Sequence, residues 1–407
     1  MDDVAGALPE PLFQRAVDLL RELTAISSPS GDAEGLRRMA ERLACELRER
    51  GLAAEIHDEP SAEAGRPLPV LYARGADTSR SHLLLIGHFD TVLAAGPPRL
   101  DGDRLVATGA IDMKGGLATL LGALDLLKHR GQAPPRDLLL VAVPDEEVGG
   151  ELSRAAIRRW GETARALWVL EPGEPAGDSE TMVAGRRGMF QWRLEARGTA
   201  AHSGLHYWEG RSALAAAARW VADAEALSRN GGGPTVNTGR LVGGDASFVD
   251  DLATFHDLLG TERQLNVVPD RALAEGEVRF LRPQDRSETL QRLLDLTQDV
   301  GRHTGTTLTF TPGQEIPPVD PDNPHSALSR RAVELAAARG WTLNVETDRG
   351  GISFPNFLPD PGRLPILDGL GPVGGGMHTR EEFVSLVSLR RRIVLLADLL
   401  AEDASRP

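Results

Sequence analysis

Three short runs in this chain contain no polar residue: Leu83–Ile86, Leu138–Val143 and Leu167–Leu170. A strand that is apolar at every position is covered on both faces, whereas a half-wet strand alternates. Covering both faces requires helices, and helical spacing of apolar residues separates some of the runs, notably over Leu117–Leu127. Strand and helix in alternation give an α/β core, and ligands of such cores gather just beyond the strand ends. The residues found there are His88 after the first run, Glu146 and Glu147 after the second, and Glu171 after the third.

Two further pieces carry the same chemistry. One is Gly109-Ala110-Ile111-Asp112-Met113-Lys114-Gly115-Gly116, in which Asp112 precedes a helical pattern. The other is Gly374-Gly375-Gly376-Met377-His378, a glycine-rich stretch that implies a loop pressed close against something. Two imidazoles and several carboxylates form a ligand set for a pair of divalent cations, with zinc the best match. His88 and Asp90 lie two apart, so on a continuing strand they point the same way. His88 then reads as a ligand and Asp90 as the carboxylate that orients it. The two oxygens of Asp112 can serve two cations, although an aspartate in this place is also a common helix cap. Glu146 and Glu147 diverge in extended backbone, so one can bind metal while the other faces the water. Two-metal hydrolysis needs that division, with metal to acidify the water and a free carboxylate to carry the proton.

The bulk properties exclude several functions. The chain has 407 residues, enough for two domains, and a formal net charge of -14. Such an acidic chain lacks the footprint of a nucleic-acid or anionic-membrane binder. Cys45 is the single cysteine, so no disulfide framework or cysteine-rich metal site exists, and its helical apolar surroundings predict a buried thiol. The first residues show no signal-peptide pattern and no apolar run approaches a membrane span, which gives the expectation of a cytoplasmic protein.

The texture changes near Gly185. Phe190, Trp192, Leu194 and Ala196 alternate with polar residues, the pattern of a sheet with one wet face. A helix over Ala213–Leu227, strands at Thr235–Leu241 and Ala272–Leu281, and a helix near Ser287–Val300 complete a small α+β domain. Helices at Ser326–Arg339 and Glu381–Leu400 follow. If His378 joins the other ligands, the chain folds back and the middle domain is an insertion. The expected division is 1–184 and 310–407 for a catalytic domain and 185–309 for the insert.

These motifs, in this order and over nearly the whole chain, resemble the M20 family of zinc aminoacylases and carboxypeptidases, nearest to its glutamate carboxypeptidase branch. The resemblance rests on His88-Phe89-Asp90-Thr91-Val92, Gly109–Gly116, Asp145-Glu146-Glu147, Leu170-Glu171-Pro172 and the tail Leu367–His378. It implies an α/β di-zinc catalytic domain with a mixed sheet flanked by helices, plus an inserted α+β lid and dimerisation domain. It implies that Asp112 bridges two Zn2+, with Mn2+ or Co2+ as substitutes. His88 and Glu171 would complete one metal position, Glu147 and His378 the other. Glu146 would be the general base and then acid, Asp90 the orienting carboxylate, and the peptide after Asp112 cis. In the insert, His202 matches the lid histidine that polarises the scissile carbonyl in a neighbouring subunit. Asn266 matches a substrate-contacting asparagine, and Arg279 the arginine that holds the substrate's free carboxylate. Gly351, in the retained Gly-Gly, is the remaining substrate-binding candidate. The implied partners are a small amide or peptide substrate and a second copy through the lid.

Two departures stand out. Between Gly243-Gly244 and Asn266 the chain inserts Asp245–Leu265. Phe248, Val249, Leu252, Phe255, Leu258 and Leu259 in it suit a short amphipathic helix that reshapes the pocket or extends a dimer interface. Where relatives commonly have Ser-Asp-Gly, this chain has Ser353-Phe354-Pro355, a stiffer and more apolar loop. The expected activity is hydrolysis, by metal-activated water, of an amide in an N-acyl amino acid, dipeptide or related carboxylate-bearing molecule. Acyl transfer in the same site is the enzymatic alternative, and a catalytically silent binding protein the non-enzymatic one.

Overall fold

The computed structural model describes residues 7–77, 82–251, 266–321 and 327–405. The chain forms two compact units. The first comprises the residues up to Gly185 with Pro321–Arg349 and the stretch from Ser353 onward; the second comprises Arg186–Asp320 and Gly350–Ile352. The first opens with helices α1 (Glu10–Ala25) and α2 (Ala33–Glu49). Helix α2 begins where Asp32 accepts the N–H of Gly35 at 3.1 Å, and it buries Leu36, Met39, Leu43 and Leu47. Cys45 is exposed, contrary to the sequence expectation. Leu43, Ala44 and Leu47 hold the buried stripe, and position 45 falls outside it.

Strands β1 (Ala53–Glu59), β2 (Leu68–Arg74), β3 (His82–His88), β4 (Arg99–Asp101) and β5 (Arg104–Val106) precede helix α3 (Lys114–His129). Then come β6 (Leu138–Val143), helix α4 (Glu151–Gly161), β7 (Ala164–Val169), β8 (Pro175–Ala176) and β9 (Ser179–Val183). The central sheet runs β1-β2-β6-β3-β7. It is mixed: β1, β2 and β6 pair antiparallel, while β3 is parallel to both β6 and β7. Every residue of β3 and β6 is buried, as the apolar runs Leu83–Ile86 and Leu138–Val143 within them predict. The parallel register sets His88 beside Val143 and Ile86 beside Val169, so the three strands end at one level. Helix α3 starts against that level. A Cβ on Gly116 would stand 1.9 Å from the carbonyl oxygen of Leu170, so only glycine permits this approach.

The second unit contains β10 (Gly188–Arg197), helix α5 (Ala213–Glu225), β11 (Thr235–Gly244), helix α6 (Ala246–Asp251), β12 (Arg271–Phe280), helix α7 (Pro283–Thr304) and β13 (Thr307–Ile316). Its antiparallel sheet has the order β11-β12-β10-β13. Trp192, Leu194 and Ala196 of β10 are buried with Trp220 of α5 and Leu293 of α7, which gives this unit its own core. The division expected at residues 309 and 310 falls inside β13. That strand pairs with β10 from Arg197↔Thr307 to Met189↔Ile316, so the unit continues to Asp320. Of the insertion, α6 is described, with Val249 buried at its centre. Leu252, Phe255, Leu258 and Leu259 lie outside the described residues.

The chain then returns to the first unit through helix α8 (Ala327–Ala338), β14 (Leu343–Glu346), β15 (Ile366–Leu367), β16 (Gly374–Gly375), β17 (Phe383–Ser385) and helix α9 (Leu386–Ala404). β15 extends the central sheet beside β7, and β14 pairs with β9. The last helix starts at Leu386, later than the expected Glu381. Residues Phe383–Ser385 form a strand on β5, and Ser385 caps the helix by accepting the N–H of Ser388 at 3.3 Å. Among the described residues no helix is long and apolar enough to cross a membrane.

Candidate metal centre

The level where β3, β6 and β7 end gathers the predicted ligands of the first unit. Asp112 lies between the two imidazoles. Its Oδ1 is 3.1 Å from Nε2 of His88, and its Oδ2 is 3.3 Å from Nε2 of His378. Glu171 Oε1 approaches His88 Nε2 at 3.7 Å, and Glu147 Oε2 approaches His378 Nε2 at 3.2 Å. Asp112 thus stands between His88 with Glu171 and His378 with Glu147, and Glu147 also brings a carboxylate oxygen within 4.8 Å of the His88 and Asp112 ligand atoms. Glu146 sends a carboxylate oxygen within 4.8 Å of the His88 and Glu171 ligand atoms. The Asp112–Met113 peptide is cis, as expected.

Asp90 organises this end of the sheet. Its Oδ1 and its carbonyl oxygen lie 3.2 and 3.1 Å from Nδ1 of His88, which leaves Nε2 directed at Asp112. The same carboxylate accepts the Ser30 hydroxyl at 2.7 Å and the N–H groups of Glu146 and Glu147 at 3.2 Å each. One buried aspartate thus aims the imidazole and places the loop that carries both glutamates. Asp145 instead caps α4, accepting from the backbone of Leu152 and Ser153 and from the Ser153 hydroxyl.

The electrostatics demand positive charge here. Burial opposes the charged form of His88, but its hydrogen bonds to Asp112 and Asp90 prevail and hold it well above its ordinary value. Burial likewise opposes charge on Asp112, yet His378 and His88 hold its carboxyl below the usual range. Burial pushes Glu147 up to about 8. The bond to Asp112 raises His378 to about 9. Crowded carboxylates that either hold protons or lean on protonated imidazoles are what divalent cations neutralise, so the donor set fits such ions in number, type and charge.

Sequence reasoning gave no role to two residues around the centre, Glu382 and Lys114, and singled out a third, Phe354, only as part of a departing loop. Glu382 is buried and accepts the N–H groups of Gly109, Ile111 and Asp112 at 2.9, 3.0 and 3.1 Å. Lys114 is fully buried, donates to the carbonyl of Ile26 at 2.8 Å, and is lowered to about 7 by that burial. Phe354 is buried with its ring centroid 6.4 Å from that of His88. The loop singled out at Ser353-Phe354-Pro355 is a short helical turn, closed by the Asn356 side chain on the Ser353 N–H at 3.1 Å, and it forms an apolar wall behind His88. His378 itself has φ 63, the only non-glycine positive value among the described residues. That conformation costs on the order of 1 kcal/mol.

The remaining predicted site residues belong to the second unit. His202 is exposed and its Nδ1 accepts the N–H groups of Gly204 and Leu205 at 3.1 and 3.2 Å. Backbone amides only donate, so the ring proton sits on Nε2, which is left as a donor. Asn266 lies beside it through the Ser203 N–H on the Asn266 carbonyl at 2.8 Å and the bridge between His202 and Val267. Arg279 donates to Glu277 at 2.8 and 3.3 Å and to the carbonyl of Gly350 at 3.3 Å, so its guanidinium fork is engaged within the unit. Gly351 accepts from Arg186 at 3.2 Å; a Cβ there would meet nothing, so packing does not demand glycine.

Residues 84–402 match the model of peptidase family M20/M25/M40. Carboxypeptidase G2 of Pseudomonas sp. (strain RS-16) is 27% identical over 406 residues, covering 96% of this chain and 91% of that protein. Aminopeptidase PepT from Bacillus cereus superposes with a TM-score of 0.76 at 20% identity, over 97% of this chain and 99% of that one. The Bacillus subtilis YXEP protein, described as a dinuclear metal binding peptidase from the M20 family, superposes with a TM-score of 0.66 at 16% identity, over 97% and 99%. The match spans most of the chain and includes His88, Asp112, Glu147, Glu171 and His378, and the chain belongs to peptidase family M20/M25/M40, the metal-dependent hydrolases of amide and peptide bonds.

Proposed function

We propose that this protein is a di-zinc amidohydrolase that cleaves the amide of an N-acyl amino acid, a dipeptide or a related amide whose amine half carries a carboxylate. One observation carries the reading: the two oxygens of Asp112 each face a different imidazole, His88 at 3.1 Å and His378 at 3.3 Å. Asp112 would be shared by both ions, with His88 and Glu171 completing one position and Glu147 and His378 the other. Bound there, the ions would polarise the amide carbonyl and make the attacking water acidic. Glu146 takes the proton of that water and delivers it to the leaving amine. Asp90 holds His88 in the tautomer that leaves Nε2 for the metal.

His202, with its proton on Nε2, is suited to donate to a carbonyl oxygen as charge develops there. Arg279 is assigned to the substrate carboxylate, for which the planar fork of an arginine is apt. It would exchange its bond to Glu277 for that carboxylate. Asn266 and Gly351 line the same substrate. We also propose that the second unit forms a homodimer. The ten-residue strand β11 is a sheet edge among the described residues, a place where a second strand pairs readily.

The test is a screen of N-acyl amino acids and dipeptides with zinc-loaded protein, read by amine release, against a chelated control. Release by the loaded protein, its loss with chelator, and its loss in Glu146→Gln are expected. Turnover that survives Glu146→Gln would remove the mechanism.

A further inference from the structure

Glu382 is four residues beyond His378, in the segment that runs into β17. Its backbone carbonyl accepts the N–H of Ala107 at 2.9 Å, and its carboxylate reaches further along the same stretch. One oxygen takes the Gly109 N–H at 2.9 Å; the other takes those of Ile111 and Asp112 at 3.0 and 3.1 Å. Both oxygens are thus committed to amides, which sets this acid apart from the ligands although it lies beside them. The stretch it grips contains Gly109, at φ 75, and ends on Asp112, so no helix or sheet hydrogen bonding sets the direction of that side chain. The segment that carries Glu382 also carries His378 through the turn at Gly376, at φ 70.

We propose that Glu382 is a positioning residue for the metal pair: it fixes the backbone from which Asp112 projects and locks it to the segment that carries His378. One side chain then sets the 3.3 Å separation of Asp112 and His378 and the orientation of the carboxylate both ions share. The inference rests on the di-zinc reading and adds to it a residue that touches neither ion nor substrate.

The chemistry allows a sharp variant. Glutamine keeps one acceptor and replaces the other by an NH2 group, so in either orientation a donor faces the N–H of Gly109 or those of Ile111 and Asp112. The experiment titrates zinc alone into metal-stripped protein by calorimetry, for the parent, Glu382→Gln and Glu382→Asp. The unfolding midpoint in chelator is measured beside it, with kcat and KM on a substrate from the amine-release screen. The parent should bind two equivalents. Glu382→Gln should bind them about 10- to 100-fold more weakly and lose kcat with KM little changed. Glu382→Asp, which keeps both acceptors one methylene short, should fall between. Parental zinc affinity in Glu382→Gln, with only the unfolding midpoint lowered, would reduce Glu382 to a structural residue and overturn the proposal. If Glu382→Gln does not fold, parental affinity in Glu382→Asp overturns it equally. A parent that binds no zinc defeats the di-zinc reading itself and the inference with it.

Discussion

Asp90 shows how much a single side chain governs at this centre. It is fully buried and contacts the His88 ring, the Ser30 hydroxyl and the amides of Glu146 and Glu147. Asp90→Asn would offer an NH2 group where donors already point. It should cost about 10- to 100-fold in zinc affinity, read by calorimetry, with a matching loss of turnover. Glu146→Gln should behave differently: roughly 100- to 10,000-fold lower kcat with zinc content unchanged. These residues were legible because each follows an apolar run or its turn, where a charged group has few uses other than a ligand or a proton carrier. Glu382 and Lys114 were not. Glu382 lies in Arg380-Glu381-Glu382, which reads as a wet helix start, and its partners are 270 to 273 positions away. Cys45 failed for the opposite reason, since apolar neighbours in sequence do not place a residue on their own face of the helix.

Among the elements, the start of helix α3 and the end of strand β7 are held in close approach by one glycine. Gly116 places the first turn of α3 against the Leu170 carbonyl, and Leu170 leads directly into Glu171. Gly116→Ala would force the helix start away from the strand end. It should destabilise the metal-free protein by about 1–3 kcal/mol in urea unfolding and weaken zinc binding, because Asp112 and Glu171 move apart. The apolar runs within strands β3, β6 and β7 were legible because burial on both faces leaves no other pattern. The pairs β4–β5 and β16–β17 were not, being two or three residues long with too little sequence for a period to show. β17 explains the late start of the final helix: the Glu382 carbonyl and carboxylate draw the chain into extended pairing just where helical spacing begins.

For the whole molecule, the chain leaves its first unit near Gly185 and returns near Pro321 to deliver His378. The excursion was legible in outline from the change of period at Phe190. Its far boundary was not, because β13 continues as a strand past the expected limit. Since the ligands come from segments far apart in sequence, bound zinc should tie them together. Zinc at 100 times its dissociation constant should stabilise the folded protein by about 2.7 kcal/mol for each site, lost on chelation and seen as a lower thermal midpoint. The central claim is that Asp112 is shared by two ions. Native mass spectrometry of stripped and zinc-reconstituted protein tests it most directly, by counting zinc per chain in the parent and in Asp112→Ala. We predict two in the parent and a loss at both positions in the variant. A parent that takes up one zinc or none, or a variant that still takes up two, would contradict the account.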